Sequence, residues 1–522
     1  MTSTPLSTTS SPSSTASPSS TATPSSTATP STAVPAARPG RGGPRRRGPG
    51  WFGALLLRLH FYAGLLVGPF ILVAALSGAL YALTPTIEQV AYRDVLHAPV
   101  ADTRLSLAEQ TRIAQEHVGE AGATPTAVRP APGPGDTTRV MFADERLGES
   151  ESRAVFVDPG TGEVRGDLTV YGTSGALPLR TWLDQLHRNL HLGDVGRLYS
   201  ELAASWLGIV ALAGLGLWLR RVLRSRRRAA TARDMVRPAR GRTGYRRLFG
   251  WHASVGFWAL LGALFLSATG ITWSQHAGPR VDALRAALDW GTPTVDTSLP
   301  GAADGGADPG AGEHAHHGAA TASDGAGEAL DPTLFDAVLA TAQTVNVNTG
   351  LVEITPPAQP GTAWVVQEIQ RSYPTEVDAV AVDPETLQAV HRVDFSEFPL
   401  AAKLARWGID AHMGSLFGLP HQLVLFALAG GIASLVVLGY LMWWRRRPTR
   451  ERRLAGGAPP ERGVLRGAPW WGVALALVLA GAVLIGWWLP LVGWTLAAFV
   501  VLDVLLGLRG RRAGGVRAGA AP

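Results

Sequence analysis

Six apolar segments decide what this chain can fold into. They lie at roughly 55–83, 199–219, 251–273, 417–444, 469–488 and 490–508. The hydrocarbon core of a bilayer needs about 20 apolar residues in helix, and each segment meets or approaches that length. The last two are parted by Leu489-Pro490 and read as a tight helical hairpin. The fold class predicted is a membrane α-helical bundle of four core transmembrane helices plus a C-terminal helical hairpin.

Arginine sets the orientation. Arg220, Arg221, Arg224, Arg226, Arg227, Arg228, Arg246 and Arg247 fall between the second and third segments. Arg445, Arg446, Arg447, Arg450, Arg452 and Arg453 follow the fourth, and Arg509, Arg511 and Arg512 follow the sixth. With both termini cytoplasmic, every cluster satisfies the positive-inside rule. The formal charge of +7 therefore reflects membrane topology, not nucleic-acid binding. A cleaved signal peptide is the rival reading of the first segment. Its apolar stretch is longer than a signal's and starts late, and cleavage would spoil the charge pattern.

These limits divide the chain. Residues 1–50 form a Ser/Thr/Pro/Ala-rich, then basic, cytoplasmic tail, which composition predicts to be disordered. The spans are 51–83, 199–219, 251–273, 417–444, 469–488 and 490–508. Basic cytoplasmic loops occupy 220–250 and 445–468, with a tail at 509–522. The long loops 84–198 and 274–416 face outward. The first reads as a helix at 106–121 with strands at 138–143, 153–157 and 163–168 around the turn Asp158-Pro159-Gly160-Thr161-Gly162. The second has strands at 364–369, 377–382 and 389–395 around Asp383-Pro384-Glu385-Thr386. Two small α+β extracytoplasmic domains are expected, the second with a flexible Gly/Ala/Asp-rich insert at 297–330.

The chain also repeats itself. Leu59-His60, Gly64, Ser77, Gly78 and Tyr81 meet Trp251-His252, Gly256, Thr269, Gly270 and Trp273 at an offset of 192. Asp158, Thr161, Trp182, His187 and Gly193 meet Asp383, Thr386, Trp407, His412 and Gly418 at 225. An internal duplication of helix, outer domain and helix accounts for both registers.

The absence of cysteine excludes disulfides, thiolate metal sites and cysteine-ligated iron–sulfur clusters. Any redox centre must be held by histidine or another non-thiolate ligand. His60 and His252 open the first and third spans on the cytoplasmic side, and His187 and His412 precede the second and fourth on the outer side. Intramembrane polar residues are functional candidates, and neutral imidazole is a good axial ligand for haem iron. Simple interfacial wetting of these side chains is the competing explanation. Helix length allows two pairings, His60 with His252 and His187 with His412, so two haem b sites are expected, one near each face. His191 is an alternative to His187, one helical turn on. His314, His316 and His317 form a His-rich tract that could collect Cu, Zn or Ni. No G-x-G-x-x-G phosphate cradle follows a strand, so no flavin or nicotinamide site is expected.

Several stretches resemble the PepSY-associated transmembrane family of bacterial inner-membrane proteins. They are Leu59-His60 before a span ending Ser77-Gly78-Ala79-Leu80-Tyr81, the stretch Val157 to Val164, and Leu186-His187-Arg188-Asn189-Leu190. Ala411-His412-Met413-Gly414 running into Leu416-Phe417-Gly418-Leu419-Pro420, and Met442-Trp443-Trp444-Arg445-Arg446-Arg447, complete them. Thr386-Leu387 departs from the family's Thr-Gly, and the His-rich insert and final hairpin are additions. The resemblance implies PepSY-like outer domains and a haem-containing reductase of ferric iron or ferric siderophores in iron uptake. Its electrons would come from quinol or a separate cytoplasmic reductase. Two other readings stand beside it. One is a non-enzymatic membrane-anchored regulator that binds a peptide or protein; the other is a metal-uptake accessory protein.

Overall fold

The computed structural model describes residues 51–119, 123–238, 240–299, 330–446 and 471–501. The expectations for the N-terminal tail, nearly all of the insert including His314, His316 and His317, and most of the second basic loop lie outside them.

The helices in chain order are α1 (Trp51–Leu66), α2 (Gly68–Ala82), α3 (Thr84–Ala91), α4 (Arg93–Leu96), α5 (Leu107–Val118), α6 (Pro178–Asn189), α7 (Gly193–Arg224) and α8 (Arg228–Val236). They continue with α9 (Gly244–Thr272), α10 (Gly278–Ala287), α11 (Leu334–Gln343), α12 (Leu400–Met413), α13 (Gly418–Arg445), α14 (Trp471–Trp488) and α15 (Pro490–Val501). Helices α7, α9 and α13 are each long and apolar enough to cross a membrane, and the pair α1 and α2 makes a fourth candidate span. That pair bends by 61° at Val67. Pro69, in the first turn of α2, explains the bend: proline has no N–H for the helical ladder and its ring crowds the preceding turn. The last two helices are apolar but shorter. They meet at Gly486 and Gly493, whose backbones leave no room for a side chain. The Trp206 indole N–H in α7 donates to the Thr495 hydroxyl at 2.9 Å, which ties the pair to the bundle.

Close packing runs from α1 to α7, α7 to α9, α9 to α13 and α13 to α2. The bent first span and α9 therefore sit at opposite corners of a four-membered ring. Its core holds Ala63, Val67, Ile71, Ala203, Trp206, Ala263 and Ile432; the small residues among them let backbones approach.

Eight strands form one antiparallel sheet: β1 (Pro125–Arg129), β2 (Thr138–Phe142), β3 (Glu151–Val157), β4 (Val164–Tyr171), β5 (Val352–Thr355), β6 (Trp364–Glu368), β7 (Ala379–Val382) and β8 (Ala389–Val393). Their order is β4-β3-β2-β1-β5-β6-β7-β8. The two loops thus do not make two separate sheets, as expected from sequence. They fuse through β1 and β5, with Val128 opposite Ile354, both fully buried. One apolar core beneath α5 and α11 takes residues from both loops, among them Val140, Val155, Phe335, Trp364 and Val380. Fully burying a side chain of this size stabilises by about 1.5–3 kcal/mol, so the shared core favours keeping the two halves joined at this seam. Asp336 of α11 adds a polar tie, accepting the Leu107 and Ala108 amides at the start of α5 at 2.9 and 3.0 Å.

The two Asp-Pro turns are built alike. Asp158 accepts from the Gly160 amide and the Thr161 hydroxyl at 2.8 and 2.9 Å. Asp383 accepts from the Glu385 amide and the Thr386 hydroxyl, both at 2.8 Å. Gly162 takes φ +75° in the first turn, and Leu387 is held at φ +52° in the second, where a side chain is strained.

Because strands from both long loops share one sheet, both loops lie on the same side of any membrane the bundle crosses. The chain has no cysteine, so single cysteines report cleanly. Cysteines replacing exposed Glu149 and Ser372 should react with an impermeant maleimide from one face of sealed vesicles. A cysteine replacing Arg226, beyond the far end of α7, should react only from the other. Labelling of 149 and 372 from opposite faces would contradict the shared sheet.

Candidate functional site

A neutral imidazole has one N–H and one bare nitrogen, and its neighbours decide which is which. His60 reaches across from α1 to α7, where its Nδ1 lies 3.0 Å from the Val210 carbonyl. A carbonyl only accepts, so Nδ1 carries the proton and Nε2 keeps its lone pair. His252 on α9 does the same against α13, with Nδ1 3.2 Å from the Leu435 carbonyl. The two rings lie across the centre of the bundle with centroids 6.1 Å apart and planes at 79°. Gly214 makes the His60 position possible, because a Cβ there would lie 3.2 Å from the ring.

The second pair follows the same logic through hydroxyls. His187 on α6 has Nδ1 3.1 Å from Ser77 Oγ. That hydroxyl's single proton is committed to the Val73 carbonyl at 2.8 Å, shared with Ala74. With that proton on a carbonyl, Ser77 Oγ is placed to accept from His187 Nδ1–H. His412 on α12 has Nδ1 2.6 Å from Thr269 Oγ1, whose proton goes to the Phe265 carbonyl at 2.8 Å. In that arrangement Nε2 is the bare nitrogen on both rings. Gly78 and Gly270, next along from the two hydroxyl residues, face these histidines, and a Cβ at Gly78 would lie 2.9 Å from the His187 ring.

All four contacts keep the two sequence offsets. His60 and His252, like Ser77 and Thr269, are 192 positions apart; Val210 and Leu435, like His187 and His412, are 225 apart. His252 and Thr269 are seventeen residues apart on α9, about 25 Å along a helix rising 1.5 Å per residue. The two histidine pairs therefore sit toward opposite ends of the bundle.

His187 and His412 line one cavity of about 1350 Å³ that opens between the helices and rises beneath the sheet. Tyr81, Arg371 and Arg406 line its upper part, each bonded to a buried charged residue behind it. Glu88 accepts from the Leu177 amide at 2.7 Å and pairs with Arg180 at 3.6 Å; burial pushes its carboxyl up, and Arg180 pulls it back. Arg180 also donates to the Tyr81 hydroxyl at 3.3 Å. Asp410 is fully buried between Arg406 at 3.1 Å and Arg371 at 3.6 Å. Burial, with Arg406 beside it, pushes Arg371 down to about 10, still protonated at neutral pH. Arg371 then reaches Thr173 Oγ1 in the other loop at 3.0 Å.

His191 is not in this group. Helix α6 ends at Asn189, and Leu190 and His191 take left-handed φ of +55° and +56°. The four-residue spacing that would stack His191 on His187 holds only inside a helix. Instead His191 is exposed and lies against Trp182, ring centroids 5.0 Å apart. The sequence did not point to the carbonyl partners Val210 and Leu435 or to Gly214. The first two act through backbone atoms, and only the 192 and 225 registers could have indicated them.

Residues 57–446 match the PepSY-associated TM region family, and the chain belongs to that family. It is a multi-pass membrane protein. No curated protein matches the sequence.

Removing a hydroxyl acceptor should leave a histidine N–H without a partner. Ser77→Ala and Thr269→Ala should each lower stability by about 1 kcal/mol, read as a lower melting temperature in detergent. The exchanges Ser77→Thr and Thr269→Ser keep the acceptor and should melt near the wild type. Equal losses for all four variants would mean that the hydroxyl–imidazole bonds contribute nothing.

Proposed function

We propose that this protein carries electrons across the bacterial plasma membrane as a haem b reductase of ferric iron or ferric siderophores in iron uptake. The observation that carries this reading is the common placement of four histidines: each has Nδ1 within hydrogen-bond distance of a group on a neighbouring helix, an arrangement that leaves Nε2 bare. Metal-bound histidines characteristically donate their second nitrogen in this way, which fixes tautomer and ring orientation.

The residues fit a bis-histidine haem. Two imidazoles facing each other across the bundle could together hold one haem. His60 and His252, with centroids 6.1 Å apart, are the pair that would hold the inner haem. His187 and His412, on one cavity with glycines beside both rings, are suited to a second haem b. When bound, a haem b supplies reversible one-electron chemistry at iron.

The chain's own residues do the rest. Carbonyls of α7 and α13 orient the inner imidazoles, and hydroxyls of α2 and α9 orient the outer ones. The apolar bundle excludes water. Arg371 and Arg406 offer positive charge to anionic groups in the cavity. Electrons enter from quinol or a separate cytoplasmic reductase, and the substrate is met on the sheet side, which the positive-inside rule assigns to the exterior. The recurrent offsets and the like-built turns support an internal duplication in which each loop contributes one PepSY-like half of the sheet.

His60→Ala or His252→Ala should halve the haem content, and His187→Ala or His412→Ala should remove the other haem. Each should abolish ferric-chelate reduction in proteoliposomes supplied with a quinol. Unchanged haem content in all four variants would exclude the histidine sites.

A further inference from the structure

A second cluster, free of histidine, lies at the sheet, on the face that α11 covers. Glu368 ends β6, and Glu376 and Asp378 lead into β7 two residues apart, so their side chains share one face. One carboxylate oxygen from each of the three lies within 4.8 Å of the other two. Like charges so close repel. Burial, then Glu368 and Asp378, raises the pKa of Glu376. Burial raises that of Asp378, with Glu368 and Asp394 adding to it and the Phe395 amide opposing.

Glu368 is 0% exposed. Its Oε1 accepts two backbone amides, from Asn348 at 2.6 Å and Thr349 at 2.8 Å. Its Oε2 is equally buried and has no hydrogen-bond donor. With Oε1 saturated, Oε2 is the oxygen left for the neighbouring carboxylates. Two further buried oxygens lack partners in the same stretch of chain, Asn346 Oδ1 and Thr375 Oγ1. The positive group near Asp378 is Arg392, which pairs with Asp394 at 3.4 Å. Glu376 and Asp378 are only half-buried, so the cluster is open to ions.

We infer that Glu368, Glu376 and Asp378 form a binding site for a hard divalent cation of the calcium class. The donor set is all oxygen and contains no imidazole, which selects against Zn, Cu and Ni. Carboxylates spread over two strands tolerate the larger, irregular shell of Ca²⁺ better than the strict octahedron of Mg²⁺. A bound ion would neutralise the repulsion. It would also pin the 346–349 segment, which follows α11, to β6 and β7, bracing the outer half of the sheet. The site is separate from the histidine pairs and does not depend on haem.

The test uses the full chain in detergent, stripped with EDTA and dialysed against ⁴⁵Ca²⁺. The wild type should bind one Ca²⁺ per chain and melt at a higher temperature with Ca²⁺ than with EDTA. Glu376→Gln, at the accessible edge, should weaken Ca²⁺ binding by about tenfold or more and melt at the same temperature in both. Glu368→Gln keeps an acceptor oxygen for the Asn348 and Thr349 amides but replaces the free Oε2 by an amide nitrogen, and should weaken Ca²⁺ binding as Glu376→Gln does. No Ca²⁺ bound by the wild type, or unaltered binding by Glu376→Gln, would overturn the site. Mg²⁺ binding as tight as Ca²⁺ would overturn the calcium assignment.

Discussion

An imidazole inside an apolar bundle must find partners for its polar nitrogens within the protein, because hydrocarbon offers none. This requirement organises the centre of the molecule. Each of the four central histidines gives its Nδ1–H to a group on a neighbouring helix: Val210 and Leu435 carbonyls for the inner pair, Ser77 and Thr269 hydroxyls for the outer. Those bonds tie α1 to α7, α9 to α13, α6 to α2 and α12 to α9. The glycines follow from the same need, since Gly214 and Gly78 leave the space that the rings occupy. In this way one nitrogen on each ring is satisfied by the protein itself.

The sheet imposes a second constraint from outside the bundle. Strand β1 pairs with β5, so the loops after the first and third spans cannot move independently. Arg371 crosses the same divide to Thr173, and Asp336 caps α5 from the other loop. The roof of the His187–His412 cavity is therefore one continuous sheet built from both halves of the chain.

Much of this was legible in the sequence because it is written in side chains at fixed spacing. The histidine pairs, the hydroxyl residues Ser77 and Thr269, and the Asp-Pro turns all declare themselves through two registers. The strands β2, β3, β4, β6, β7 and β8 also emerged from alternation and turn residues. What stayed hidden has physical reasons. Strand β1 opens on Pro125, and β5 has four residues before Pro356-Pro357, so both read as loop although they join the two halves. His191 looked equivalent to His187 only while α6 was taken to continue past Asn189. The carbonyl partners of His60 and His252 have no residue signature at all. The carboxylates at 368, 376 and 378 become a cluster only when β6 and β7 are paired.

The proposal that depends most on this arrangement is that the two histidine pairs would hold haem. Electron paramagnetic resonance of the oxidised protein, purified in detergent with its haem, tests it most directly. Two six-coordinate low-spin ferric signals per chain are predicted. One should be strongly anisotropic, as near-perpendicular axial imidazoles such as His60 and His252, with planes at 79°, require. Haem-free protein that takes up no haem on reconstitution, or only high-spin five-coordinate iron, would contradict the account.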